Sequence, residues 1–144
     1  MFKRVLLCYD GTAEGRRALR QGADVVVTMK SEAHLLAICG NLVTTAIPEG
    51  VTPELVQCED DRAQALLDEG VQWLKDRGVA ATGSLEYGKA SERISEVAER
   101  IGADLVVLGH KRRTRLERWW SESDESNLLD RVSCSVLVAT ATEP

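Results

Sequence analysis

Apolar runs of strand length recur along the chain and alternate with segments of helical period. Residues 4–9, 33–39 and 104–109 are almost continuously apolar, which is typical of strands covered on both faces. Residues 79–87 alternate more weakly and fit a sheet edge with one wet face. Residues 135–140 form the last apolar run. The pattern therefore predicts five β-strands.

Apolar residues spaced by three and four positions predict helices in the intervals between these strands. The predicted helical segments are residues 12–26, 63–74, 94–101 and 116–131. Thr12 can cap the first segment through its hydroxyl, and Gly78 and Gly102 follow the second and third, where glycine commonly ends a helix. On the first helix, an apolar face of Leu19, Ala23 and Val26 opposes a polar face of Arg16, Arg17, Arg20 and Asp24.

Strands and helices that alternate in this way predict an α/β fold: an open five-stranded parallel sheet with helices on both faces and right-handed crossovers. The length of 144 residues suits one hydrophobic core, so a single domain over residues 1–144 is expected. Ligands of such sheets bind outside the carboxyl ends of the strands, where strand order reverses. The expected rim consists of residues 10–12, 39–41, 87–89 and the loop that follows Gly109.

Composition narrows the classes of partner. No apolar run approaches the ~20 residues of a membrane-spanning helix, and no signal segment opens the chain, so a cytoplasmic protein is expected. The net charge of -5 disfavours a general nucleic-acid or membrane binder. The histidines, His34 and His110, lack metal-ligand spacing. The scattered cysteines are expected to be reduced packing residues: Cys8, Cys39, Cys58 and Cys134.

Known catalytic and phosphate-binding motifs are missing from the sequence. It contains no Gly-x-Gly-x-x-Gly, no Gly-x-x-x-x-Gly-Lys-Ser/Thr and no Gly-x-Ser-x-Gly, and neither histidine has a nucleophile at a recognisable position. Asp10 ends the first strand, where its carboxylate could bind a ribose, a base amine or a metal-bound phosphate. Asp-Gly is also a turn dipeptide that needs no ligand, so both interpretations of Asp10 stay open. An enzyme is not expected.

The ordered set of segments from both ends of the chain resembles the universal stress protein family. The opening Val5-Leu-Leu-Cys-Tyr-Asp-Gly-Thr12 is similar to that family's first strand, acid and helix start. Gly102-Ala-Asp-Leu-Val-Val-Leu-Gly109 and Cys134-Ser-Val-Leu-Val138 are similar to its carboxyl half. The resemblance covers the whole chain. It implies an adenine nucleotide alpha hydrolase-like fold with flavodoxin-like layering.

Members of this family that bind ATP share a pattern after the fourth strand: a glycine, two residues, a glycine, nine residues, then a glycine and a serine or threonine. On this sequence the pattern falls on Gly109, Arg112, Glu122 and Ser123. Arg112 adds a side chain where the backbone should be bare, and Glu122 places a negative charge where phosphates would lie. The segment is similar instead to the branch that lacks these glycines and is not expected to bind ATP. A vestigial or repurposed crevice is therefore expected.

The segment 111–118 carries five basic residues and one acid, and two interpretations of it stay open. The arginines could hold a phosphate or an acidic partner through bidentate hydrogen bonds, or the segment could be a solvated loop. Trp119 and Trp120 would point about 100° apart on a helix, so at most one could stack on a base. The simpler interpretation is that they pack against the sheet and a subunit surface.

The resemblance also implies a homodimer, because the last strand commonly pairs with its copy in a second subunit of this family. Val136, Leu137 and Val138 would form that contact and cover an apolar edge. The leading hypothesis is a dimeric stress-response regulator without a cofactor, which acts through contacts with unknown proteins or a weakly held anion. The alternative is a nucleotide-binding switch with at most slow ATP hydrolysis, in which Asp10 and residues near Ile38 contact adenosine.

Overall fold

The helices and strands lie close to the positions that the sequence predicts. A computed structural model of the chain describes residues 2–9, 16–17, 19–39, 53–110 and 128–140, and of residues 21, 53–60, 110 and 140 it describes the backbone alone. The strands are β1 (Arg4–Tyr9), β2 (Glu32–Cys39), β3 (Ala81–Tyr87), β4 (Leu105–His110) and β5 (Ser135–Thr140). The helices are α1 (Arg20–Met29), α2 (Pro53–Asp76) and α3 (Ala90–Ile101). Residues 16–17 and 128–131 are also helical.

All five strands are parallel and lie in the order β3-β2-β1-β4-β5. In the centre of the sheet, Leu7 of β1 lies between Leu35 of β2 and Val107 of β4. The two outer strands, β3 and β5, pair with β2 and β4 respectively. The predicted five-stranded parallel sheet is therefore confirmed.

Each face of the sheet has its own hydrophobic core, because successive side chains of a strand point to opposite faces. Val5, Leu7 and Tyr9 of β1 face the core that α1 and α2 cover. Leu6 and Cys8 face the core that α3 and Leu128 cover. The continuous apolar run of β1 is thus explained by burial on both faces, and the predicted helices on both faces are confirmed.

Two glycines let helices approach the sheet more closely than a larger residue would. A Cβ atom built on Gly22 of α1 would collide with the side chain of Val107 in β4. A Cβ atom on Gly83 of β3 would lie 2.7 Å from Val71 Cγ2 of α2. The layer spacing on this face therefore depends on glycine at both positions.

The start of β4 is held to the start of β1 by one carboxylate. Asp104 accepts hydrogen bonds from the backbone N–H of Lys3 at 2.8 Å and of Arg4 at 3.1 Å. Asp104 stands just before β4, which begins and ends one residue later than its apolar run predicts. The carboxylate fixes how the two central strands begin side by side.

Several details differ from the sequence prediction. The first helix is predicted over residues 12–26, but a turn at Leu19 precedes α1, which begins at Arg20 and extends to Met29. α2 begins at Pro53, ten residues before its apolar pattern starts, since the segment that ends with Asp61 and Arg62 is polar and shows no periodicity. The sequence predicts Arg16 on the polar face of the first helix, and the prediction that it faces solvent is wrong. It is half-buried, and its Nη1 donates a hydrogen bond to the Leu66 carbonyl oxygen of α2 at 2.8 Å. Arg17, Arg20 and Asp24 are exposed as predicted.

Within the described residues, no helix is both long enough and apolar enough to cross a membrane. The cap at Thr12 and most of the predicted helix at 116–131 lie outside the described residues.

Candidate functional site

The strand order reverses between β1 and β4, at the centre of the sheet. β1 is followed along the chain by β2 on one side, and β4 by β5 on the other. Cys8 lies beside Leu108, so the segments after β1 and β4 leave the sheet at the same edge. Diverging connections at such a point leave a crevice where ligands of open α/β sheets bind. The sheet therefore has the switch point at which the sequence predicts a ligand crevice.

Two of the predicted site residues lie at this edge within the described part of the chain. Gly109 is a buried residue of β4 and pairs with Ala139 of β5. Ile38 lies one position beyond Ala37, the partner of Tyr9, and its side chain is 1% exposed in the core beneath α3. Because the side chain of Ile38 is buried, only its backbone can contact a ligand in the crevice.

The other predicted site residues, Asp10, Arg112 and Ser123, lie outside the described residues, as do Trp119 and Trp120. The sheet brings the ends of their neighbouring strands together, but the position of these side chains stays a prediction.

A polar cluster that sequence reasoning missed lies between β2 and the outer strand β3. His34 of β2 makes two short hydrogen bonds to hydroxyls of β3: Nδ1 lies 2.7 Å from Thr82 Oγ1 and Nε2 lies 2.8 Å from Ser84 Oγ. A hydroxyl can donate or accept, so either neutral tautomer of the imidazole is satisfied. The histidine thus joins the side chains of two neighbouring strands on the face that α3 partly covers.

The surroundings of His34 favour its neutral form. Burial lowers the pKa of His34, the nearby charge of Arg100 on α3 lowers it further, and Glu86 of β3 opposes both effects. In the neutral form one ring nitrogen donates and the other accepts, and the two hydroxyls of β3 can match both roles. The alternation of Thr82, Ser84 and Glu86 was the available signal, but only the strand register shows which of them faces His34.

Two of the described cysteines, Cys8 and Cys134, have protonated thiols. Burial raises the pKa of Cys8 and of Cys134, so neither thiol is disposed to form a reactive thiolate near neutral pH. Cys8, Cys39 and Cys134 are not in disulfides, and the side chain of Cys58 lies outside the described residues. In the part of the chain that the structure describes, no three His, Cys, Asp or Glu side chains come together as metal ligands.

The fold and the switch point agree with comparisons to known proteins. A model of the universal stress protein family matches residues 1–140. The chain belongs to the universal stress protein family. The universal stress protein Sll1654 of Synechocystis sp. is 31% identical to it over 139 residues, which cover 96% of this chain and 85% of that protein.

Solved structures of universal stress proteins share the fold of this family member. A universal stress protein in complex with cAMP superposes with a TM-score of 0.67 at 16% identity, covering 98% of this chain and 99% of the other. The universal stress protein of Archaeoglobus fulgidus in complex with dAMP gives a TM-score of 0.59 at 14% identity, covering 96% and 98%. The adenine nucleotide alpha hydrolase-like architecture is confirmed.

The outer strand β5 of this universal stress protein presents apolar side chains to solvent. Leu137 is 39% exposed and Val138 is 45% exposed, while Val136 is half-buried against the core beneath α3. Leu129, just before this strand, is also exposed. An apolar outer strand is a surface on which another chain can add.

Proposed function

We propose that the protein is a regulatory binding module of the universal stress type, which acts as a homodimer through protein contacts and turns over no substrate. The exposed apolar side chains of β5 carry this proposal, since pairing of β5 with its copy would cover Val136, Leu137 and Val138 in both subunits. The expected location is the cytoplasm.

The same proposal includes a crevice that does not hold ATP in the usual mode of the family. Gly109 supplies the first glycine of the ATP-binding pattern, but Arg112 and Glu122 occupy the positions of the next two. A side chain at either position obstructs the close approach of backbone N–H groups to phosphate, and a carboxylate repels it. These replacements support a binding module whose crevice is vestigial or repurposed.

Isothermal titration with ATP, combined with native mass spectrometry of the purified protein, tests both parts. The expected result is a dimer without retained nucleotide and no saturable ATP binding at millimolar concentration. A monomer would contradict the dimer, and micromolar ATP affinity would contradict the altered crevice.

The chain offers a sharper test because two substitutions recreate the full pattern. The double variant Arg112→Gly/Glu122→Gly has glycine at all three positions and keeps Ser123. It is expected to gain ATP affinity relative to the parent chain. The matched control, Arg113→Gly/Glu125→Gly, makes the same change of charge outside the pattern and should gain none. Equal affinity of both variants would show that the glycines are not what limits ATP binding here.

A nucleotide-binding switch with at most slow hydrolysis is the second candidate. It is favoured by the switch point between β1 and β4 and by the cAMP and dAMP complexes of similarly folded proteins. In this case Asp10 and the backbone near Ile38 would contact the adenosine, and Arg112 would hold phosphate. Arg112→Ala should then weaken nucleotide binding, whereas unchanged or stronger binding would exclude this role of the arginine.

A further inference from the structure

A cavity of about 300 Å³ lies between α1 and α2, on the opposite face of the sheet from His34. This volume is at the lower end of the range for small-molecule sites. The floor of this α1–α2 cleft is apolar, with Leu7 and Leu35 from the sheet and Leu74 from α2. Such a floor favours an apolar part of a ligand over water.

Positive charge dominates the polar lining of the α1–α2 cleft. Three arginines, Arg16, Arg17 and Arg20, line it together with one carboxylate, Glu69. Within the described ranges, the guanidinium of Arg16 donates one hydrogen bond, to the Leu66 carbonyl oxygen, and a guanidinium has five N–H donors in all. Among the described residues, no salt bridge joins Arg17 or Arg20 to an acid.

Arg20 begins α1, where its charge is unfavourable in the free protein. Cations near a helix N-terminus oppose the helix dipole, and the first turn of α1 contains no acidic residue. Arg16 and Arg17 precede α1 and line the same cleft as Arg20, so the three positive charges repel one another there. An anion bound in the cleft would offset both effects.

Gly70 of α2 shapes the wall of the cleft. Glycine inside a helix costs about 1 kcal/mol relative to alanine, yet α2 has glycine where it lines the cleft. A Cβ atom at this position would lie 2.6 Å from Leu35 Cδ2 and 3.4 Å from Arg16 Cδ. The absence of a Cβ atom at Gly70 thus leaves space for the side chains of Leu35 and Arg16.

We propose that the α1–α2 cleft binds a small amphiphile with an anionic phosphate or carboxylate head and a short apolar body. The head is held by Arg17, Arg20 and the other N–H groups of Arg16, because the guanidinium fork matches both kinds of oxyanion. The body lies on the apolar floor. This site differs from the crevice between β1 and β4, so the proposal stands independently of ATP binding.

Isothermal titration with octyl phosphate and with octanoate tests the proposal, with inorganic phosphate and 1-octanol as probes of the head and the body alone. Saturable binding of at least one amphiphile is expected, about tenfold or more tighter than either partial probe. Binding of 1-octanol as tight as that of the amphiphiles would overturn the role of the charges, and absence of saturable amphiphile binding would overturn the site.

Substitutions at the arginines test whether the amphiphile binds in this cleft. Arg17→Gln/Arg20→Gln should weaken amphiphile binding about tenfold, while the exposed Arg62→Gln on α2 should leave it unchanged. In the absence of ligand and at low salt, the double variant should be at least as heat-stable as the parent chain, because two of three neighbouring positive charges are removed. Equal affinity of the double variant and the parent chain would overturn the proposal.

Trp73 provides a spectroscopic check, since it lines the cleft with Arg77 stacked 3.6 Å from its ring centroid. Octyl phosphate should change the tryptophan fluorescence of the parent chain, and Trp73→Phe should abolish that change. A fluorescence change that persists in Trp73→Phe would place the ligand elsewhere and overturn the assignment to this cleft.

Discussion

The two outer strands of the sheet differ in chemistry although each pairs with one neighbour in the chain. β3 presents hydroxyls, and His34 on the adjacent β2 bonds to two of them, Thr82 Oγ1 and Ser84 Oγ. β5 presents apolar side chains instead, and Leu137 and Val138 are exposed. Polar side chains protect an outer strand from other chains, whereas an apolar one invites pairing. Under the proposed function, β5 is therefore the outer strand that a second subunit would cover.

Charge on β5 is the strongest way to break this comparison. In the proposed dimer, Val138→Lys replaces a valine of which 45% remains to be buried, which contributes about 1 kcal/mol, by an ammonium that is costly to bury. Two-fold symmetry repeats the loss in the second subunit. The dimer dissociation constant is therefore expected to rise about 100-fold or more. Sedimentation equilibrium measures this change. Thr82→Lys on β3 is the control, and it should leave the dissociation constant unchanged. If Thr82→Lys dissociated the dimer and Val138→Lys did not, the interface would lie at β3 and not at β5.

A bulky residue at Gly83 tests the outer strand β3, which packs against α2. Gly83→Val should destabilise the fold by about 1–3 kcal/mol, the usual cost of overpacking, because its Cβ atom would press on Val71 Cγ2 of α2. Urea unfolding measures this loss. The control is Ala80→Val at an exposed position just before β3, which should change stability little.

The oligomeric state of Gly83→Val shows which of the two outer strands forms the subunit contact. Once corrected for its unfolded fraction, the variant is expected to dimerise as the parent chain does. A folded but monomeric Gly83→Val would mean that β3, rather than β5, forms the subunit contact.

Much of this fold can be predicted from the sequence because burial leaves a direct mark on it. The run Val5–Tyr9 is continuously apolar since both faces of β1 are covered. Gly78 and Gly102 mark the ends of α2 and α3 because both take positive φ, at 83° and 68°. The alternation in residues 79–87 predicts an outer strand, and β3 is one.

Other features depend on contacts that no local pattern records. Arg16 lies one helical turn from exposed residues, and only the path of α2 shows that its guanidinium reaches Leu66. The meeting of His34 with Thr82 and Ser84 depends on the register between β2 and β3. The location of the crevice follows from strand order, whereas the roles of Asp10, Arg112 and Ser123 depend on side chains outside the described residues.

The effect of pH on the β3 side of the sheet is the smallest expected change. His34 has a pKa below its ordinary value of 6.5 in the folded protein, because burial and the charge of Arg100 disfavour protonation more than Glu86 favours it. Below pH 6.5 the unfolded chain therefore binds a proton before the folded protein does. The stabilisation is complete above this pH and is lost as the pH falls toward and through the lowered pKa of His34.

Urea unfolding of the parent chain and of His34→Gln at pH 8.0 and pH 5.5 measures this contribution. The other histidine, His110, is present in both chains, so the difference between them isolates His34. At pH 8.0 the parent chain should have a larger free energy of unfolding than His34→Gln. At pH 5.5 this difference between the two chains should be smaller. Protonation leaves both imidazole nitrogens as donors that the two hydroxyls can still accept, so a narrowing gap would arise from burial and Arg100 rather than from broken hydrogen bonds. An equal gap at the two pH values would show that the environment of His34 does not lower its pKa.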